Sequence, residues 1–362
     1  MNILLVCYDY SLAGGSERVT YNLYNELVRF HNVSVVSLYH SDKNYHFEDS
    51  NIRYIIDRQV SWKEDLFPTL ARLRDYCTDN LIDLVVSVGV NASLFVCIVG
   101  RMIHVPTIVC EHSNLANKFY NNWLQDVRRF FSVKLCSKFI TLTNSDMTDY
   151  MKKYLFQKHK FDYIYNWIDF DLNDTSVRYD YNSKKIITLC RIDRVKGIEY
   201  SIKAFEKLKP IFPDWTWEVY GEGDDQYLEL LNGYVHEHEV EGFKFMGFCK
   251  NTDSVYKNAS IYCCSSLYEG LPLTLLEAKK WKVPIVSFDC KTGPNEIVED
   301  KENGFLVRTK DVDDLTNKLS LLMKDEGLRI QMSNKSYSNI KKFNKEEIIK
   351  KWLDVFEDAS VK

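Results

Sequence analysis

Apolar residues in this chain gather into short, uninterrupted runs instead of alternating with polar ones. In the first half these runs cover residues 3–7, 33–38, 84–88, 107–110 and 139–142. Continuous β-rich runs of that length fit strands buried on both faces. Between them the apolar spacing turns helical, most clearly over 16–30. The second half repeats the scheme, with strands predicted at 186–189, 216–220, 244–246, 261–264 and 285–288 and helices at 197–209, 224–238, 273–281 and 312–324. This alternation predicts an α/β protein whose parallel sheets carry helices on both faces. A polar, aperiodic stretch at 171–185 reads as a linker between two doubly wound, Rossmann-like domains, 1–170 and 186–344. Two such domains facing each other leave a cleft outside the carboxyl ends of their strands, where ligands bind. The terminal segment 345–362 holds a last helix, whose apolar stripe (Ile348, Ile349, Trp352, Leu353, Phe356) fits either its own domain or the first.

Composition narrows the classes. At 362 residues, 45% hydrophobic and 27% charged, the chain is globular and long enough for two cores. A net charge of −4 offers no basic field for nucleic acid. The ten cysteines form no C-x-x-C pair and sit mostly in apolar runs, which predicts free buried thiols in a reducing compartment and neither zinc nor redox spacing. Met1-Asn2-Ile3-Leu4-Leu5-Val6 has no basic leader and reads as a first strand rather than a signal peptide. The uncharged run 84–100 approaches the length of a membrane span, but Gly89 and Asn91-Ala92-Ser93 divide it into a strand (84–88) and a helix (92–101). No transmembrane segment is predicted.

Candidate chemistry lies at strand ends. Glu269-Gly270-Leu271-Pro272-Leu273-Thr274 leads into a helix that carries Glu277 one turn in. The backbone N–H groups at Leu271 to Thr274 and the positive end of the helix suit a phosphate, and the two carboxylates suit hydroxyls. Glu277 also fits a capping box with Thr274. Arg191 and Lys196 flank another strand–helix turn and are placed to neutralise a diphosphate, with Arg194 facing solvent. Gly14 and Gly15 precede Ser16, read as a helix N-cap, and let backbone approach a ligand. Glu111 and His112 follow the 107–110 strand, Gly221 precedes Asp224, read as the next helix cap, and Phe248 ends a strand. The dinucleotide glycine fingerprint is missing, which argues against a nicotinamide dehydrogenase.

Glu269-Gly270-Leu271-Pro272-Leu273 with Glu277 resembles the signature of the family 4 retaining glycosyltransferases, the group 1 enzymes of bacterial surface polysaccharide synthesis. Arg191-x-x-x-x-Lys196-Gly197, Gly14-Gly15-x-Glu17-Arg18 and His112 match further strand-end positions of that family in order. The resemblance implies a GT-B fold of two facing Rossmann-like domains. It also implies transfer of a hexosyl or N-acetylhexosaminyl group from a nucleoside-diphosphate donor, UDP-linked in preference to GDP-linked, to a hydroxyl of a glycan or lipid-linked glycan. In that reading Glu269 holds sugar hydroxyls and Glu277 the ribose. Arg191 and Lys196 hold the diphosphate, His112 lines the transferred sugar, and the base rests near Phe248. No metal or other cofactor is implied, because cations replace it, and the leaving phosphate takes the acceptor's proton. Two other readings use parts of the same pattern: a sugar-nucleotide epimerase or hydrolase relying on Glu111 and His112, and a non-catalytic nucleotide-sugar binding subunit.

Residues 118–160 carry nine Lys/Arg against three acids, with Phe119, Tyr120, Trp123, Phe130 and Phe131 interleaved. Such a surface either lies on anionic lipid or is a solvated face over a core stripe. Family members often extend glycans on lipid carriers at the cytoplasmic face of the membrane, so the resemblance implies a cytoplasmic location and favours the peripheral one.

Overall fold

The computed structural model describes residues 1–11, 14–40, 52–56, 62–117, 123–170 and 177–360. The chain divides into two compact units, Met1–Asn166 with Lys345–Lys362, and Trp167–Asn344. In the first unit the order is β1 (Asn2–Asp9), α1 (Gly15–Leu27), β2 (Asn32–Tyr39), β3 (Arg53–Tyr54), α2 (Trp62–Asp79), β4 (Leu84–Val88), α3 (Val90–Ile103), β5 (Thr107–Glu111), α4 (Trp123–Leu135), β6 (Lys138–Thr141), α5 (Asn144–Lys153) and β7 (Phe161–Tyr163). The second unit contains β8 (Lys185–Leu189), α6 (Ile198–Leu208), β9 (Thr216–Tyr220), α7 (Asp225–Glu237), β10 (Phe243–Gly247), α8 (Thr252–Lys257) and β11 (Ile261–Cys264). It continues with α9 (Leu273–Lys280), β12 (Ile285–Phe288), α10 (Pro294–Ile297), β13 (Gly304–Val307), α11 (Val312–Lys324) and α12 (Glu326–Asn334), before α13 (Lys345–Ser360) returns the chain to the first unit.

Both sheets are parallel throughout. The first runs β3-β2-β1-β4-β5-β6-β7 and the second β10-β9-β8-β11-β12-β13. Every strand therefore ends on the same edge of its sheet. In each sheet the order reverses once, between β1 and β4 and between β8 and β11, and loops leaving on either side of that point part to open a ligand crevice. The continuous apolar runs are explained by burial on both faces: Ile3, Leu4, Leu5 and Val6 are wholly inaccessible, as are Ile186 and Ile187. The uncharged run near 84–100 is strand β4 followed by the core helix α3, and among the described residues no helix is long and apolar enough to cross a membrane.

The stripe on α13 is spent in the first unit. Trp352 and Phe356 are buried with their rings tilted against each other at 5.7 Å, and the Phe356 ring lies 6.3 Å from that of His31. Lys345 pairs with Glu26 at 3.0 Å, and Lys138 pairs with Asp358. The segment read as a linker falls partly outside the described residues (171–176). Its remainder packs on the second unit, with the Tyr179 hydroxyl donating to the Ser260 carbonyl at 2.5 Å and Arg329 to the Tyr181 carbonyl at 2.9 Å.

Candidate active site

In the second unit, Arg191 and Lys196 follow β8 and Glu269 follows β11, so the order reversal of the sheet sets these loops side by side. Lys196 Nζ donates to Glu269 Oε1 at 2.7 Å, with the two side chains 22% and 12% exposed. Burial alone would pull the lysine pKa down, but the Glu269 carboxylate outweighs it and holds Lys196 above the usual lysine range. Arg191 is 58% exposed and donates to Asp193 Oδ2 at 2.9 Å. Asp193 also caps the turn at Arg194–Lys196 by accepting from the Val195 N–H at 3.0 Å. Arg194 is exposed, as expected, and lies over the Tyr227 ring at 4.9 Å.

The glycines here answer to close contacts. Gly197 has φ +59, and a Cβ on it would come within 2.3 Å of the Ser265 carbonyl. At Gly221 (φ +138) it would strike the Cys190 carbonyl at 1.9 Å. The loop bearing Glu269 is stitched on both sides: Leu267 N–H donates to the Val195 carbonyl at 2.8 Å, Ser265 Oγ to the Lys196 carbonyl at 2.9 Å, and Thr292 N–H to the Glu269 carbonyl at 3.2 Å.

Helix α9 starts from Pro272, which gives no side-chain cap. The N–H groups of Leu273 and Thr274 in its first turn therefore have no intrahelical acceptor and face outward from a positive dipole end. Gly270 and Leu271 complete the approach. This corrects the capping-box alternative: Thr274 is the second residue of the helix, too far along to cap it. Glu277 is 5% exposed and accepts a 2.9 Å bond from the Tyr256 hydroxyl, which also lies 3.1 Å from the Thr274 carbonyl. Tyr256 gave no signal in the sequence, being one tyrosine among 23 and 21 residues away. Asp224 caps α7 as expected, and Phe248, just past β10, is 51% exposed.

In the first unit, Gly14 is the N-cap of α1 and Gly15 its first residue. Ser16, read as the cap, is instead inside the helix and donates to Glu17 Oε1 at 2.9 Å. Gly15 has open space where a Cβ would stand. Across the order reversal, Gly89 (φ +92) is the N-cap of α3 and equally open, a position first read only as a turn.

Glu111 is corrected outright. It is 1% exposed, and both oxygens are engaged: Oε1 accepts from Ser113 N–H (3.0 Å) and Oγ (2.7 Å), Oε2 from Arg129 Nε (2.9 Å) and the Tyr150 hydroxyl (2.7 Å). Burial alone would raise its pKa, but Arg129, Ser113 and Tyr150 together hold it below the usual carboxylate range. A carboxylate so occupied is a brace, not a substrate ligand. Arg129 extends the brace to Ser113 Oγ and the Asn114 carbonyl, both at 3.0 Å, and Asp146 Oδ1 accepts from the Leu115 N–H at 2.9 Å. The loop so clamped presents His112. Its Nε2 is buried with no hydrogen-bond partner among the described residues. Burial, opposed by Glu111, pushes its pKa down to about 4, so the ring is neutral at pH 7. Among the described residues no group of three or more His, Cys, Asp or Glu is placed to hold a metal ion.

Two doubly wound parallel sheets, with a cation–carboxylate pair and an uncapped helix start at one switch point, are the architecture of the GT-B glycosyltransferases. Residues 13–172 match the family described as Glycosyltransferase Family 4 and residues 170–339 match Glycosyl transferases group 1, and the chain belongs to this family of enzymes. It is 28% identical over 95% of its length, and 96% of the relative's, to an uncharacterized glycosyltransferase of Haemophilus influenzae. A second relative is 25% identical, covering 96% of each chain. It is the Campylobacter jejuni α-1,4-N-acetyl-D-galactosaminyltransferase acting on GalNAc-α-(1→4)-GalNAc-α-(1→3)-diNAcBac-PP-undecaprenol. The crystal structure of Anabaena HepE in complex with UDP and glucose superposes with a TM-score of 0.83 at 16% identity, over 98% of this chain and 99% of that one.

Proposed function

We propose that this glycosyltransferase moves a sugar from a UDP-linked donor to a hydroxyl of a glycan or lipid-linked glycan, in surface polysaccharide synthesis and with retained anomeric configuration. The observation that carries the reading is the 2.7 Å contact of Lys196 with Glu269 beside the open first turn of α9. In a nucleotide sugar the pyranose hangs directly on the terminal phosphate. A cation meant for that phosphate and a carboxylate meant for the sugar hydroxyls must then be near neighbours, as these two are. Charge grows on the departing diphosphate in the transition state, and Lys196, Arg191 and the Leu273 and Thr274 N–H groups oppose it there. These donors serve in place of a metal, so activity is expected to survive EDTA. His112, neutral and with Nε2 unspent, suits a sugar hydroxyl. Glu277, steadied by Tyr256, suits the ribose. The UDP and glucose bound by HepE and the undecaprenol-linked acceptor of the Campylobacter enzyme support the choice of donor and acceptor class.

The test is UDP release and sugar transfer across a panel of nucleotide sugars. Lys196→Ala is expected to lower kcat by roughly a hundredfold, and Glu269→Gln to act chiefly on the donor sugar. A UDP-sugar at about 100 times its Kd should stabilise the protein by roughly 2.7 kcal/mol, which calorimetry reads as a raised Tm. NMR of the product decides retention against inversion. Lys196→Ala with unchanged kcat/KM, or no nucleotide sugar raising Tm, would sink the proposal. The epimerase reading loses its ground on a specific observation, since it needed Glu111 as an acid or base and that carboxylate is fully engaged.

A further inference from the structure

Helix α2 carries two stripes. Leu66, Leu70, Leu73 and Cys77, at spacings of three and four, pack into the core of the first unit. Arg72, Asp75, Tyr76 and Asp79 recur at the same helical spacing on a neighbouring face. That second stripe meets Arg53 and Tyr54 of the edge strand β3 across a groove of about 660 Å³, a size usual for a small-ligand pocket. The groove lies at the opposite edge of the first sheet from the basic, aromatic stretch 118–160, of which residues 118–122 fall outside the described residues.

Its walls are fixed by contacts within the unit. Arg72 Nη1 donates to the Ile55 carbonyl at 3.0 Å and so ties α2 to the chain leaving β3. The Arg53 guanidinium lies over the Tyr76 ring at 5.3 Å, and the Tyr54 ring packs against His40 at 4.4 Å. Much hydrogen-bonding capacity is nevertheless left over. Among the described residues the Arg53 guanidinium, the Tyr76 hydroxyl and the Asp79 carboxylate have no hydrogen-bond or ion-pair partner, and Asp75 spends only Oδ1, on Arg74 at 2.7 Å. Donors and acceptors are thus interleaved along one groove. Its charges cancel, two arginines against two aspartates, so a phosphate or a sulfated chain gains no net attraction there. Planar groups of both polarities are the partners that neighbouring hydroxyls select, and tyrosine rings supply apolar surface for the carbon side of a pyranose.

We propose that this groove is a second carbohydrate subsite, which holds an uncharged stretch of the glycan acceptor away from the reacting hydroxyl. The choice of ligand class rests on the glycan-acceptor reading given above. The sheet order separates β3 from β5, the strand that leads to His112, by four strand spacings, or about 19 Å. A sugar in the groove is therefore several units along the chain from the one that reacts. Binding there would favour long acceptors over short ones without touching the chemistry, since the groove adds affinity equally to ground and transition states.

The test is saturation-transfer NMR and calorimetry on the full-length protein without nucleotide sugar. Maltohexaose and N-acetylchitohexaose are the neutral probes, and a heparin hexasaccharide is the charged one. A neutral probe is expected to bind with an affinity that does not change between about 50 and 500 mM salt. Arg53→Ala with Tyr76→Ala should weaken that binding at least roughly tenfold. Asp79→Ala, at an exposed position and with the Arg53–Tyr76 pair intact, supplies a second variant and should weaken it by roughly threefold or more. In transfer assays both variants are expected to raise KM for an acceptor six sugars long and to leave kcat where it was. Failure of both neutral probes to bind overturns the proposal, as does undiminished binding by both variants. So does tighter binding of the heparin probe that fades as salt is raised, which would make the groove an anion site. Probe binding uses no donor, so its failure and that of the transfer reaction are told apart.

Discussion

Lys279 sits on α9 with no accessible surface, its Nζ donating to the Ile297 carbonyl at 3.3 Å. Burial pushes its pKa down to about 7, with Glu299 opposing the shift and Lys342 adding to it. An unfolded lysine titrates near 10.4, so between about pH 7 and 10 the unfolded chain binds more protons than the native one. Stability is then expected to rise with pH across that window, and the full cost of the buried charge is present below pH 7. Lys279→Met should remove this dependence and stabilise the protein at pH 6 by an amount on the order of 2 kcal/mol, a few degrees in Tm. Calorimetric scans at pH 6, 7.5 and 9 check it. Parallel curves for wild type and variant would show that Lys279 keeps its proton at all three. The contrast with Lys196, similarly desolvated but paired with a carboxylate, shows how one neighbour reverses the sign of a shift.

At the scale of elements, the site depends on how tightly three loops of the second sheet press together. Gly293, after β12, has φ +100, and a Cβ there would stand 2.4 Å from the Gly270 carbonyl and 2.8 Å from Pro272 Cδ. Gly293→Ala must therefore strain its own backbone and push the Glu269–Pro272 loop away. The expected loss is about 1–3 kcal/mol of stability and a kcat/KM lower by roughly tenfold or more, since small misplacements of binding groups are costly. Gly233→Ala on α7, where a Cβ meets nothing within 4 Å, is the control and should stabilise by about 0.5–1 kcal/mol. If both variants behave alike in kinetics and melting, the close approach at Gly293 has no functional weight. In the first unit the comparable device is the brace of Glu111, Arg129 and Asp146 around the His112 loop. It uses the inner side of α4 to hold the loop.

For the molecule as a whole, the chain path matters: α13 completes the first unit with residues that come last in sequence. Trp352 and Phe356 fill its core, at 3% and 0% exposure. Trp352→Ala is expected to destabilise that unit by about 3–5 kcal/mol, the usual range for emptying a buried aromatic site. Urea titration followed by circular dichroism reads the change. A midpoint unmoved by the substitution would mean that the helix is an appendage and not part of that core.

The sequence by itself determined the central strands and the clearest helices, because buried parallel strands and amphipathic helices each impose a local period on hydrophobicity; the short edge strands β3 and β7 carry too few residues to show one. It also placed Arg191, Lys196 and Glu269 at strand ends, where the chain must turn and where glycine and proline betray the turn, and Glu277 in the helix that follows. Tertiary structure alone decided what those side chains touch. Lys196 reaches Glu269 across 73 positions because the sheet order reverses between β8 and β11, and a strand order leaves no periodic trace. Glu111 and Glu277 look alike in a sequence, each a carboxylate beside a strand end or helix start. One is consumed by an arginine 18 residues on and the other steadied by a tyrosine 21 residues back. The reason is physical: hydrogen-bonding capacity is a property of a residue, but whether it is already spent depends on which elements pack against it.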